Sequence, residues 1–223
     1  MQFTYHKNSG LQNLKIDGDL HKYLFKIRRQ DSSANLFFRN LIDQNIYEYE
    51  VISSSRRDTL LNLVKKEKKQ ILPLKDLHLA WCIIDSKNIE KNIASLNEIG
   101  VGKITFIRCE YSQKKYSLNY EKLEKLLQNS SCQCGRSNII KIDESNSLDE
   151  FLKLHPDTYM FNFSSNNINE KKQDIKTLLI GCEGGFSNNE IKKFENDKII
   201  GCNINTILQS QTAVISVSSI ILS

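Results

Sequence analysis

The stretch Leu178-Leu179-Ile180-Gly181-Cys182-Glu183-Gly184-Gly185-Phe186-Ser187-Asn188-Asn189-Glu190 constrains this chain most. Its apolar run reads as a buried strand. The glycines that follow read as a turn approached closely by backbone or ligand. Ser187-x-x-Glu190 is a capping-box pattern that opens a helix. Strand, glycine turn and helix N-terminus together form a small-molecule site on an α/β scaffold. About twenty residues on, Ile199-Ile200-Gly201 repeats the idea and runs into Thr206-Ile207-Leu208-Gln209-Ser210-Gln211-Thr212-Ala213.

The rest of the chain alternates in the same way. Strands are expected at 77–84, 103–107, 139–142, 159–163, 178–180 and 199–201, and helices at 86–99, 119–128 and from Ser147. Ile89, Ile93, Leu96 and Ile99 share one helix face, closed by Gly100. Such alternation predicts a mainly parallel sheet with helices on both faces. The final stretch, 212–222, is an apolar helix.

The first seventy residues differ. Short strands are expected at 2–5, 34–38 and 46–54, a strand or alternatively a helix at 59–64, and a short helix over 19–27. This reads as a small β-rich domain of barrel type. The run Lys65-Lys66-Glu67-Lys68-Lys69-Gln70, followed by Pro73, is read as a solvated linker or strand end. The boundary falls there: domains 1–70 and 71–223. Residues 1–70 hold 13 Lys/Arg and 8 Asp/Glu, against 18 and 18 in 71–223, so the whole net charge of +5 lies in the first domain. That asymmetry points to a polyanionic partner for it.

Several classes are disfavoured. No Gly-x-x-x-x-Gly-Lys-Ser/Thr loop is present, and no Gly-x-Gly-x-x-Gly follows the first strand. Of the six cysteines none forms Cys-x-x-Cys, and Cys132-x-Cys134 has no histidine near it, so no metal is expected. Cys82, in an apolar strand, reads as a small core residue. No signal peptide or membrane span is recognisable, so a reducing cytoplasm without disulfides is the expected setting.

The paired glycine loops resemble those of the SPOUT methyltransferases. Within these they are similar to the bacterial ribosomal RNA small subunit methyltransferase E family, which acts on ring nitrogen 3 of a uridine in 16S ribosomal RNA. That family has Ile-Gly-Pro-Glu-Gly-Gly-(Phe/Leu)-Ser-x-x-Glu and Leu-Gly-x-x-(Ile/Val)-Leu-Arg-x-Glu-Thr-Ala. Here Cys182 replaces the proline, and Gln209 and Gln211 replace the arginine and glutamate. The Glu98-Ile99-Gly100-Val101 helix end, Arg108-Cys109-Glu110-Tyr111-Ser112, Cys132-Gln133-Cys134-Gly135-Arg136-Ser137 and His21-x-x-Leu24-x-x-Ile27-Arg28-Arg29 resemble further family segments.

The resemblance implies a PUA-like β-barrel before a SPOUT α/β domain with a trefoil knot. It also implies S-adenosyl-L-methionine as cofactor, ribosomal RNA or the small subunit as substrate, and a homodimer. Backbone of tight loops can read an adenine edge while apolar side chains sandwich the ring. The implied cofactor residues are Phe161, Asn162, Phe163, Ile180, Gly181, Glu183, Gly184, Gly185, Ile200, Gly201, Leu208 and Thr212. Methyl transfer to an imide nitrogen needs positioning and stabilisation of developing negative charge. Arg136, Gln209 and Gln211 are the catalytic candidates. Losing Arg and Glu together is expected to leave a neutral Gln–Gln hydrogen bond that still closes the loop. His21, Arg28, Arg29, Arg56 and Arg57, with nearby aromatics Tyr23, Phe25 and Tyr47, are the RNA-contact candidates. Two alternatives stand beside this reading: a non-catalytic RNA-binding protein on the same fold, and a methyltransferase with a different RNA target.

Overall fold

The computed structural model describes residues 2–31, 33–113, 115 and 117–223. The chain divides into two compact units. The first comprises residues 1–72 together with 128–139, and the second 73–127 with 140–223.

The first unit is built on a mixed five-stranded sheet. Its strands are β1 (Thr4–Tyr5), β2 (Asn13–Asp17), β3 (Leu36–Arg39), β4 (Asn45–Ser54) and β5 (Asp58–Lys68), in the order β1-β3-β4-β5-β2. Only β1 and β3 pair in parallel. Helix α1 (Gly18–His21) continues into a π-helical segment, Lys22–Ile27. Alternation puts Leu14, Ile16, Leu36, Phe38, Tyr47, Tyr49 and Leu61 into one core with Leu24. Segment 128–139 joins this unit through Gln2 N–H to Cys132 O (2.8 Å) and Ile71 N–H to Ser137 Oγ (2.8 Å).

Of the two readings of residues 65–68, linker or strand end, the structure has the strand end: they pair with residues 45–48 as the end of β5. The ladder satisfies the backbone whatever the side chains are, so a charged run can finish a strand whose flanks face water. Tyr47 is a core residue, 3 % exposed, its hydroxyl bonded to Asp43 Oδ2 at 2.6 Å.

The second unit is a six-stranded, all-parallel sheet in the order β11-β9-β10-β6-β7-β8. Its strands are β6 (His78–Cys82), β7 (Lys103–Ile107), β8 (Lys141–Ser145), β9 (Tyr159–Phe161), β10 (Thr177–Ile180) and β11 (Ile199–Ile200). Between them lie α2 (Ser86–Ile99), α3 (Tyr120–Cys134, of which residues 128–134 belong to the first unit), α4 (Leu148–Leu154), α5 (Ile168–Lys171) and α6 (Asn188–Ile191), and α7 (Ser210–Leu222) ends the chain. Helix α2 buries Ile89, Ile93 and Leu96 and stops at Gly100, which takes φ +112°. Helix α3 runs longer than the leucine spacing suggests, taking in Cys132 and Cys134.

Helix α7 packs on α2, α5 and β10, burying Ala213, Val214, Val217 and Ile221. Much of its apolar surface is therefore covered within its own chain. Lys75 Nζ donates to Ile221 O at 3.2 Å near its C-terminal end, where free carbonyls favour a cation.

Cys82 and Cys109 form a disulfide, contrary to the reading of Cys82 as a lone core thiol in a chain without bridges. Parallel pairing of β6 and β7 brings their Cα atoms to 5.8 Å across 27 residues of sequence. Cys132, Cys134, Cys182 and Cys202 are free. Among the described residues no helix is long and apolar enough to cross a membrane, and no cluster of three or more His, Cys, Asp or Glu side chains could hold a metal ion.

Candidate active site

The ends of β9, β10 and β11 and the start of α7 surround a cavity of about 470 Å³. It opens beyond the carboxyl ends of parallel strands, where the backbone turns away from the sheet and leaves a crevice. Phe161, Asn162 and Phe163 form one side. Gly181, Glu183, Gly184 and Gly185, following Ile180, form a second. Gly201 and Leu208 belong to a third. These ten expected cofactor residues thus come together from three separate chain segments.

Two others do not line it. Ile200 is fully buried in the core beneath, and Thr212 is exposed on the first turn of α7. Lining residues not anticipated include Cys182, Phe186, Ile204, Ile207, Ser210 and Ala213. Periodicity could have pointed to Ser210, which stands one turn before Val214 and Ala213 on the buried face of a terminal helix.

Two glycines have specific steric reasons. A Cβ on Gly201 would lie 2.7 Å from Ser164 O and 3.1 Å from Asn162 O, so backbone rather than ligand excludes a side chain. Gly201 N–H meanwhile donates to Asn166 O, and Ile168 N–H to Gly201 O, both at 2.9 Å. Gly185 takes φ +69° to close the turn in which its N–H donates to Cys182 O at 3.0 Å.

The glycine loop is anchored behind by a buried carboxylate. Glu190, 2 % exposed, completes the expected capping box: Glu190 N–H donates to Ser187 Oγ at 3.1 Å, and Ser187 N–H donates to Glu190 Oε2 at 2.9 Å. Its other oxygen, Oε1, accepts Glu110 N–H at 2.9 Å. One carboxylate therefore ties helix α6 to the segment after β7, where Tyr111 backs Gly184. Charge-assisted bonds to backbone N–H let a buried carboxylate stay satisfied.

Burial pushes the Cys182 and Cys202 thiols above their ordinary range, which keeps both protonated at neutral pH. Among the described lining residues Glu183 is the one carboxylate. Glu183 apart, the cavity is apolar walls, backbone edges and neutral amides or hydroxyls, suited to holding a flat, neutral ring rather than to nucleophilic catalysis. Beside it, Gln211 Nε2 donates to Gln209 Oε1 at 2.6 Å, while Gln211 Oε1 is shielded from solvent without a hydrogen-bond partner among the described residues.

Arg136 is not among the lining residues. It is 5 % exposed in the first unit, its Nε donating to Asn138 Oδ1 at 2.6 Å. His21 is also withdrawn from a surface role. Only 3 % exposed, its ring packs 5.2 Å from that of Phe25. Its position at i−3 from Leu24 puts it on the buried face of the helix. Arg28, Arg29, Arg56 and Arg57 are exposed. Arg28 lies over Tyr23, 5.7 Å from the ring centroid. Arg56 and Arg57 form the tip of the β4–β5 hairpin, held by Arg57 and Asp58 N–H donating to Ser55 Oγ at 3.1 Å each.

Comparison with known proteins agrees with this geometry. Residues 70–222 match the RNA methyltransferase domain family. The chain is 33 % identical, over 99 % of both lengths, to the ribosomal RNA small subunit methyltransferase E of Helicobacter pylori. It is 27 % identical to that of Buchnera aphidicola subsp. Schizaphis graminum, over 86 % of this chain and 78 % of the relative. The fold is shared with a Legionella pneumophila methyltransferase structure containing bound cofactor SAM (TM-score 0.79, 19 % identity, 99 % of this chain and 96 % of that one). It is shared too with the Neisseria gonorrhoeae ribosomal RNA small subunit methyltransferase E bound to S-adenosyl methionine (TM-score 0.77, 14 % identity, 98 % and 95 %). The chain belongs to the RNA methyltransferases, and among them to the ribosomal RNA small subunit methyltransferase E family.

Proposed function

We infer that this protein is an enzyme that methylates ring nitrogen 3 of a uridine in 16S ribosomal RNA, with S-adenosyl-L-methionine as the methyl donor. The observation that carries the reading is the three-sided cavity of about 470 Å³, within the range of small-molecule sites, in a chain 33 % identical to small subunit methyltransferase E.

The residues fit that donor. Ile180, Leu208 and Ala213 offer apolar faces for a purine, and the glycine turns offer backbone edges. Beside the cavity, Gln211 Oε1 is a shielded acceptor without a hydrogen-bond partner among the described residues. S-adenosylmethionine supplies an electrophilic methyl group on a sulfonium. The chain's own task is to orient the uracil edge and exclude water. Gln209 and Gln211 hold that edge by neutral hydrogen bonds, and Glu183 is the carboxylate nearest the chemistry.

The finer architecture belongs to the same proposal. Residues 1–70 act as a PUA-like β-barrel that grips RNA phosphate through Arg28, Arg29, Arg56 and Arg57. The C-terminal segment threads through a loop as the trefoil knot of the SPOUT fold. The protein works as a homodimer in the cytoplasm, where ribosomes are assembled.

The test is methyl transfer from S-adenosylmethionine to small ribosomal subunits from cells lacking this enzyme, followed by nucleoside mass spectrometry. 3-Methyluridine is expected. A methyl group on another base, or none with wild-type protein, overturns the reading.

A further inference from the structure

A single hydroxyl joins the two loops that frame the cavity. Ser210, 5 % exposed, opens helix α7 immediately after Leu208 and Gln209. Trp81 Nε1 lies 2.9 Å from Ser210 Oγ, and Ser210 Oγ in turn bonds Gly181 O.

The donor and acceptor inventory fixes every direction in this relay. Indole N–H only donates and a peptide carbonyl only accepts. The serine hydroxyl must therefore accept from Trp81 and give its one proton to Gly181. No alternative rotor satisfies both neighbours, so the hydroxyl is orientationally locked.

The anchor is rigid. Trp81 is fully buried in β6, a strand flanked on both sides, in register with Ile180 of β10 and Phe106 of β7. Gly181 follows Ile180 directly, at the point where the sheet gives way to the glycine turn. A buried indole N–H without an acceptor is costly, so Ser210 cannot drift from Trp81 freely. Helix α7 has no side-chain N-cap, since Gln209 makes no capping bond, so its start is held here instead.

The consequence reaches the ligand. All peptide bonds among the described residues are trans. Fixing Gly181 C=O therefore fixes the plane of the 181–182 peptide and the opposed direction of Cys182 N–H. Both residues line the cavity. We propose that Ser210 is a positioning residue of the methyl-donor pocket: through Trp81 and Gly181 it locks the glycine-loop peptide and the start of α7 in the geometry that receives S-adenosylmethionine. This rests on the reading of the cavity as the methyl-donor site.

The experiment compares Ser210→Ala, Ser210→Thr, Trp81→Phe and the double variant Ser210→Ala/Trp81→Phe. S-adenosylmethionine affinity is measured by calorimetry, KM and kcat on small subunits, and folding by thermal melting. Ser210→Ala should weaken binding about tenfold, the equivalent of one well-placed hydrogen bond, and raise KM more than it lowers kcat. Ser210→Thr, which keeps the hydroxyl, should bind within about twofold of wild type. Trp81→Phe should move affinity in the same direction as Ser210→Ala, and the double variant should be less than the product of the singles. Should Ser210→Ala not fold, Trp81→Phe against Ser210→Thr decides. Wild-type affinity in folded Ser210→Ala, a loss in Ser210→Thr as large as in Ser210→Ala, or strictly multiplicative effects would overturn the proposal. Wild-type protein that binds no S-adenosylmethionine would overturn the functional reading and this proposal with it.

Discussion

Gln211 donates from Nε2 to Gln209 Oε1 at 2.6 Å, a neutral bond at the two positions where the family resemblance implies a glutamate and an arginine. Gln209 is exposed, so the bond's electrostatic stakes are small. Gln209→Arg alone is expected to cost under about 1 kcal/mol, as for exposed charges, and to lower methyl transfer by displacing Gln211. The pair Gln209→Arg with Gln211→Glu should restore both melting temperature and turnover. An inert wild type beside an active double variant would mean that the natural loop has lost catalysis.

Gly201→Ala should be far more damaging than its size suggests. The added methyl meets backbone oxygens of Ser164 and Asn162, and neither can rotate away. A destabilisation of about 1–3 kcal/mol is expected, with methyl-donor affinity down by roughly tenfold or more because residues 162–164 line the cavity. Melting curves and calorimetry on the same preparation test this. Unchanged affinity would detach this loop from the site.

The disulfide predicts a thiol count. Unfolded, unreduced protein should take four alkyl groups, at Cys132, Cys134, Cys182 and Cys202, and six after reduction. Closing a 27-residue separation is worth about 3.5 kcal/mol in the chain-entropy model. Reduction should therefore lower the melting temperature, and Cys109→Ala should remove that sensitivity.

His78 makes stability pH-dependent. Burial, with His155 and Lys103 adding to it, drives its pKa down to about 4 from the ordinary 6.5. Between those values the unfolded chain binds the proton and the folded chain does not. The contribution is therefore whole above the unfolded pKa and is lost as pH falls through the folded one. Melting temperature should drop between about pH 6.5 and about pH 4, and His78→Gln, which can still bond Thr105, should flatten that drop.

Arg28 and Arg29 should control salt dependence rather than chemistry. Both are exposed, and the net charge of +5 lies wholly in residues 1–70. Each phosphate contact removed lowers the salt slope of RNA binding by roughly 0.7 to 0.9. Arg28→Ala/Arg29→Ala should bind RNA more weakly with a flatter slope and keep methyl-donor affinity. An unchanged slope would make the charge a solvated surface.

Local patterns in the sequence determined much of this protein. Apolar alternation, the Gly100 stop and the Ser187–Glu190 capping box each act within a few residues, and each is found where its pattern stands. The paired glycine loops also marked two of the segments that line the cavity, because close backbone contact and positive φ leave their mark in residue type. What the pattern could not contain was decided by distant neighbours. Lys65–Lys68 became strand because residues 45–48 lay ready to pair. Cys82 met Cys109 because β6 and β7 align in parallel. His21 and Tyr47 went inside because the core of the first unit closed over them. Ser210 gained its role only when Trp81, 129 residues away in sequence, came within 2.9 Å. Local propensity is written along the chain, but register, burial and hydrogen-bond partners across the fold are set by which surfaces meet.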